Sequence, residues 1–170
     1  MNRPHYILLP VSPLFIAFSL ACAFILNMLP WGQWVGAPDF VALVLVFWGI
    51  HQPRKVGIGL AFFMGLLMDV HEASLLGENA LAYTLLSYLA IMIHRRVLWF
   101  PVMTQALHVF PLLLFTQAIQ VLVRVLVSGK FAGWLHFFES FIAVALWPVV
   151  TWLLLAPQRR AVDRDHTRPI

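Results

Sequence analysis

The sequence predicts an all-α polytopic membrane protein with six transmembrane helices. Of its 170 residues, 62% are hydrophobic and 11% are charged, and the mean hydropathy is +0.87. Soluble domains contain about 45–50% apolar and about 25% charged residues, and disordered chains are less hydrophobic still. The composition therefore excludes both a soluble globular domain and a disordered chain. The single cysteine, Cys22, also excludes a disulfide framework and any multi-cysteine metal site.

The first three predicted spans lie in the apolar runs 10–29, 40–50 and 56–68. A helix that crosses the membrane needs about 20 apolar residues. The first run has this length and ends before Pro30. The second and third runs are shorter, so they reach spanning length only if their flanking residues continue the helices.

Three further spans are predicted in residues 79–93, within 99–127 and within 131–156. Together the six spans form one predicted membrane domain, residues 1–157. Residues 158–170 form a short basic tail, which we expect to be disordered and cytoplasmic.

The distribution of basic residues predicts that both termini lie in the cytoplasm. Cytoplasmic loops of membrane proteins are enriched in Lys and Arg. A six-span chain with its N-terminus inside places nine of the 11 basic residues on the cytoplasmic side. A five-span arrangement, with 38–69 as a re-entrant hairpin, would separate the two termini and is disfavoured by the same count. The nine residues are Arg3, Arg54, Lys55, Arg95, Arg96, Arg159, Arg160, Arg164 and Arg168.

Small residues recur every four positions along the third span, at Gly57, Ala61 and Gly65, and Asp69 continues the row. Small residues at this spacing let two helix backbones approach closely in lipid. Packing within the chain is the favoured interpretation, and contact with a partner helix is the alternative. Asp69, at the outer end, is the member expected to affect partner contact or loop geometry.

The fifth span carries polar side chains broadly on one face, at Gln105, His108, Thr116, Gln120 and Arg124. Polar groups at membrane depth face the interior of a helix bundle or a water-filled cavity. Hydrogen bonds between helices are the favoured explanation, and a substrate cavity is the alternative.

Glu139, near the start of the sixth span, needs a partner if it lies within the membrane. Arg124 could reach it across the turn between the last two spans, and His136 is the alternative partner on the same helix. No constellation of residues typical of a catalytic or metal site is found in the sequence.

The middle of the chain resembles a known family through the order of several short motifs. Pro38-Asp39-Phe40 opens a span that ends in Phe47-Trp48, and Gly65-Leu66-Leu67-Met68-Asp69 is followed by Leu76-Gly77. The Leu146-Trp147-Pro148 step lies in the last span. In this order and spacing the chain resembles the MreD family of bacterial rod shape-determining proteins. The single positions that match the family pattern are Pro38, Asp39, Gly77, Trp147 and Pro148.

The resemblance implies a multi-pass protein of the bacterial inner membrane, without enzymatic activity or cofactor, in the cell-elongation machinery that inserts lateral-wall peptidoglycan. It implies MreC as the direct partner, through its transmembrane helix. MreB filaments, the glycosyltransferase RodA and the transpeptidase partner of RodA would be linked indirectly. Membrane lipid and a second copy of the chain are further candidate partners, whereas nucleic acid is not expected.

The resemblance also implies a fold similar to the substrate-binding subunits of energy-coupling-factor transporters. An alternative function follows from this, namely a subunit that binds a small, vitamin-type molecule for a membrane transporter.

Overall fold

The fold comes from a computed structural model, which describes residues 7–8, 11–29, 37–129 and 133–160. Six α-helices occupy most of these residues, so the predicted all-α fold class is confirmed. Arg3, the loop around 31–36 and residues 161–170 of the predicted tail lie outside the described residues. The helices are α1 (Pro13–Met28), α2 (Phe40–His51), α3 (Ile58–His71), α4 (Glu78–Val97), α5 (Val102–Ser128) and α6 (Phe138–Leu155).

Local sequence signals explain where several helices begin and end. Ser12 caps α1 by accepting a hydrogen bond from the amide of Phe15 at 3.2 Å, with proline in the first turn. Asp39 caps α2 in the same way. Gly129 ends α5 in the left-handed conformation, with φ of +65°, where glycine carries no Cβ penalty.

Within the described ranges, two segments are long and apolar enough to cross a membrane, namely Val102–Ser128 and Phe138–Gln158. The three helices α1, α2 and α3 are apolar but shorter, with 16, 12 and 14 residues. The number of membrane spans therefore stays a prediction, although each predicted span coincides with a helix.

The short helix α2 forms the centre of the bundle, and all its residues from Val41 to Ile50 are buried. Trp48 of α2 donates a hydrogen bond from Nε1 to Oγ of Ser19 on α1, at 2.8 Å. Phe47 lies against Trp147 of α6, with ring centroids 6.1 Å apart. A helix that is apolar on all sides is expected to be buried, and the other helices cover α2.

The outer surface of the bundle carries many large apolar side chains, including Phe18, Phe63, Met103 and Trp152. An apolar exterior of this extent is too large for a soluble monomer. It is the exterior that a helix bundle presents to lipid.

A short antiparallel pairing joins the two ends of the described chain. The strands β1 (Ile7–Leu8) and β2 (Arg159–Arg160) pair at the end of the bundle where α2 and α4 finish. Nearby, the Lys55 ammonium donates to the carbonyl of Val11. The basic pairs 54–55 and 95–96 lie at this same end.

Candidate functional site

Polar side chains meet around a cavity at the opposite end of the bundle, where α1 and α3 finish and α2, α4 and α6 begin. Its volume is about 280 Å³. The second half of α5 forms one wall. The polar lining residues are Asn27, Asp39, Glu72, Asn79, Thr116, Gln117, Gln120, Arg124, His136, Glu139 and Ser140.

Asp39 connects three helices beside this cavity. Its Oδ1 accepts hydrogen bonds from the amide of Ala42 at 3.0 Å and from Nδ2 of Asn27 at 2.9 Å. Its Oδ2 accepts from the hydroxyl of Tyr83 on α4. Asn27 in turn accepts a hydrogen bond from the amide of Phe40 at 2.9 Å. These hydrogen bonds join the end of α1 to the start of α2.

Asp69 organises the start of α4 from the end of α3. Its carboxylate is buried and accepts from the amides of Gly77 and Asn79, both at 2.7 Å, and from Ala80 at 3.4 Å. These amides are the first donors of α4, which have no partner within the helix. The positive end of the helix dipole also stabilises a carboxylate at this place. Gly77 adopts a φ of +103°, which turns the chain into α4.

The row of small residues begins at Gly57, just before α3, and continues into the helix. It divides into packed and open positions. A Cβ placed on Gly65 would lie 2.3 Å from Cα of Ala80, so α3 and α4 cross with almost no space between their backbones. Ala61 is buried. A Cβ on Gly57 would meet nothing within 4 Å among the described residues.

The charged residues of the cavity wall pair differently from the expectation. Arg124 forms an ion pair with the buried Glu78 on α4, at 2.5 Å, so its expected pairing with Glu139 is wrong. Glu139 contacts Nδ1 of His136 at 3.0 Å, as in the alternative interpretation. Proximity in sequence favours a partner for Arg124 on α6, the next helix. However, α5 also packs on α4, where Glu78 lies.

Amide side chains form the rest of the network. Gln120 donates from Nε2 to Oδ1 of Asn79 at 2.6 Å, and Asn79 donates to Oε2 of Glu72 at 3.1 Å. Across the cavity, Gln117 accepts from the hydroxyl of Ser140 at 2.6 Å and donates to the carbonyl of His136 at 3.0 Å. Hydrogen bonds between helices and a cavity thus occur on the same face of α5.

Two residues of the predicted polar row on α5 lie away from the cavity. His108 contacts the carbonyl of Thr104 and stacks on Phe100. Gln105 is buried near the start of α5 and donates to the carbonyl of Phe100 at 3.0 Å. The row therefore extends beyond the cavity, and only its second half, from Thr116 onward, contributes to the lining.

The pKa of Glu72 is raised above its ordinary value of 4.5. The main cause is that its carboxyl is shielded from water, and the nearby Asp39 carboxylate adds to the effect. Although much of residue 72 is exposed, its carboxyl bonds to the buried side chain of Asn79. Glu72 follows α3, outside the helical segments.

Several cavity residues were not singled out in the sequence. Asn27, Asn79 and Gln117 are isolated amides in apolar runs, and the rarity of polar groups in such runs is the signal that could have identified them. Their meeting depends on how six elements pack, which spacing along one helix does not reveal. Among the described residues, no three His, Cys, Asp or Glu side chains come together in a way that could hold a metal ion.

The positions that match the family pattern have distinct places in the fold. Pro38 and Asp39 line the cavity, and Gly77 precedes α4. Trp147 is buried against α2, and Pro148 lies inside α6.

Comparison with known proteins identifies the family. The model of the rod shape-determining protein MreD family matches residues 5–156. The chain belongs to the MreD family. A rod shape-determining protein MreD from Haemophilus influenzae is 33% identical over 146 residues, which cover 82% of this chain and 87% of that protein. The MreD family is one of shape-determining structural proteins.

No solved structure matches the chain. The expected similarity of this MreD-family fold to the substrate-binding subunits of energy-coupling-factor transporters therefore stays a prediction.

Proposed function

We propose that the chain is a non-enzymatic component of the bacterial cell-elongation machinery and maintains rod shape. The observation that carries this proposal is the match of the MreD family model over residues 5–156. The relative from Haemophilus influenzae, which bears the same family name and aligns over most of both chains, supports it.

We further propose that residues 1–157 form one multi-pass domain of the inner membrane, in which all six helices cross and both termini are cytoplasmic. The tail 158–170 would then be cytoplasmic. The basic pairs 54–55 and 95–96 support this orientation, because they lie at the end of the bundle opposite the carboxylates of Asp39 and Glu72.

The shortness of α2 is compatible with a six-span bundle. Its 12 residues extend about 18 Å, at about 1.5 Å per residue, whereas the hydrocarbon core is about 30 Å thick. Because the neighbouring helices cover α2, it need not match the lipid by itself. The polar cavity begins where α2 begins and would occupy part of the remaining depth.

The direct partner in this proposal is MreC, through its single transmembrane helix. MreB filaments, RodA and the transpeptidase partner of RodA would be reached through MreC. The apolar exterior of α3 offers room for a partner helix, because Phe62 and Phe63 are exposed there. In the row of small residues, Gly65 and Asp69 are already engaged by α4, so Gly57 is the position with space for a contact outside the chain.

Co-purification from native membranes tests the partnership. The tagged full-length chain should recover MreC, and a tagged, unrelated multi-pass protein of the same membrane should not. Depletion of the chain should turn rod-shaped cells round. Recovery of the intact chain without MreC, from membranes that contain MreC, would contradict the partnership. The mass of the recovered complex also shows whether a second copy of the chain is present.

A matched pair of glycine variants tests the contact on α3. Gly57→Leu should stay abundant and recover less MreC. Gly59→Leu, at another position with open space, should recover MreC normally. Equal recovery by both variants would exclude a contact at Gly57 and leave the partnership itself standing.

The cavity favours a second candidate function, the solute-binding subunit of a membrane transporter. Such a subunit should co-purify with the ATP-hydrolysing proteins of a transporter rather than with MreC. The identities of the co-purified proteins therefore distinguish the two functions.

A further inference from the structure

The cavity wall contains polar groups whose hydrogen-bonding capacity is only partly used. Gln120 is 8% exposed and donates through Nε2 to Asn79. Its Oε1 accepts no hydrogen bond from any residue that the structure describes. Because Gln120 lines the cavity, a donor inside the cavity can reach this oxygen.

A second acceptor lies in the same network. Glu72 uses Oε2 to accept from Asn79, and its Oε1 receives no hydrogen bond within the described part of the chain. Asn79 thus contacts both side chains, one through Oδ1 and the other through Nδ2. The two unused oxygens belong to the two side chains that flank Asn79 in one hydrogen-bonded chain.

The charge balance of the cavity is negative. Three carboxylates line it, those of Asp39, Glu72 and Glu139. Its basic side chains are Arg124 and His136, and His136 contacts Glu139. The positive charge of Arg124 is already balanced by the buried Glu78. In a cleft with low-dielectric walls, such an excess of negative charge attracts a cation.

We propose that this cavity binds a small organic cation whose ammonium or guanidinium group donates hydrogen bonds to Oε1 of Gln120 and to the Glu72 carboxylate. The volume, about 280 Å³, lies just below the range of about 300–1,000 Å³ that is typical of small-molecule sites. The inference goes beyond the shape-determining function and does not depend on MreC or on transport. The cation could be a free amine or guanidine, or a basic side chain of a partner protein.

Agmatine, which carries one guanidinium and one ammonium group, is the probe for the free cation. The full-length chain in lipid nanodiscs is unfolded by heat and followed by tryptophan fluorescence, with butylurea as the uncharged control at equal ionic strength. We expect agmatine to raise the unfolding midpoint by a few degrees, in a saturable manner, and butylurea to have no effect. A blocked Gly-Arg-Gly peptide represents the side chain of a partner.

Amines that remain bound through purification are measured first, by acid precipitation and mass spectrometry. A retained stoichiometric cation would support the proposal directly. If the protein retains none, a saturable shift with agmatine or with the peptide supports the proposal, and the larger shift identifies the source. The absence of a shift with both probes would overturn it.

Two glutamines on α5 provide a matched pair of variants. Gln120→Leu should abolish the saturable shift, whereas Gln105→Leu, also buried but outside the cavity, should retain it. Glu72→Gln, at an exposed position, should weaken binding of the cation at least about tenfold, because a charge-assisted hydrogen bond is lost. This variant keeps the test valid if Gln120→Leu fails to fold. The same shift in wild type, Gln120→Leu and Glu72→Gln would show that the cation binds elsewhere, against the proposal.

Discussion

At the scale of single residues, Gly65 marks the closest approach between α3 and α4. The added methyl group of Gly65→Ala would lie 2.3 Å from Cα and 2.6 Å from the amide nitrogen of Ala80, and backbone atoms cannot move aside as a flexible side chain can. We expect a loss of about 1–3 kcal/mol in the free energy of unfolding, typical of overpacking.

Gly59→Ala is the matched control for this variant, because a Cβ there meets nothing within 4 Å. It should be neutral or gain at most about 1 kcal/mol from the reduced freedom of the unfolded chain. Thermal unfolding of both variants in detergent measures the difference. A Gly65→Ala protein as stable as the Gly59→Ala protein would show that the two helices do not cross at Gly65.

The raised pKa of Glu72 predicts that the free energy of unfolding depends on pH. Because its pKa is raised in the folded chain, the unfolded chain ionises first as the pH rises through about 4.5. Ionisation therefore costs stability above that pH, and the cost grows until the folded chain ionises as well and then stays constant. The cost is absent at lower pH, where both states are protonated. Asp39 and Glu78 increase the shift, whereas Arg124 and Asn79 oppose it.

The variant Glu72→Gln removes this cost and keeps an oxygen to accept from Asn79. We expect its unfolding midpoint, relative to wild type, to rise between pH 4 and pH 7. Parallel melts across this pH range measure the difference between the two proteins. A difference that is independent of pH, or that grows on acidification, would contradict the assignment.

At the scale of helices, a buried hydrogen bond contributes to the attachment of α1 to α2. Ser19→Ala would leave the indole N–H of Trp48 buried without the acceptor that it has at 2.8 Å. The expected loss is about 1–3 kcal/mol, which corresponds to a fall of several degrees in the unfolding midpoint. Ser87→Ala is the matched control, because Oγ of this buried serine has no partner among the described residues. Equal effects of the two substitutions would argue against the Trp48–Ser19 bond.

The individual helices can be predicted from the sequence more fully than the way in which they pack together. The start of α2 follows from Asp39, whose effect is local. The pairing of Arg124 with Glu78 depends on α4 packing on α5, and the sequence contains no local sign of it. The cavity likewise combines Asn27, at the end of α1, with polar residues of five later segments. Local signals therefore predict the elements, whereas the site arises from contacts between distant segments.

At the scale of the whole molecule, the two ends of the bundle differ in charge. One end carries the basic pairs 54–55 and 95–96, and the other carries the cavity with its carboxylates. This asymmetry is what orients a membrane protein during insertion, with the basic end retained in the cytoplasm. Loop residues at the two ends of α4 are suited to test the orientation, since Leu76 is 75% and Trp99 91% exposed.

Single cysteines at these two positions, Leu76→Cys and Trp99→Cys, test the orientation of the full-length chain in a Cys22→Ser background. A membrane-impermeant maleimide should label position 76 in cells whose outer membrane has been made permeable, because the proposed orientation directs the cavity end outward. It should label position 99 only after the inner membrane is opened, because the adjacent Arg95 and Arg96 hold that loop in the cytoplasm. Both substitutions leave every charged residue unchanged, so they do not alter the signal under test. Labelling of position 99 before the inner membrane is opened would invert the topology, and equal labelling of both positions would mean that α4 does not cross the membrane.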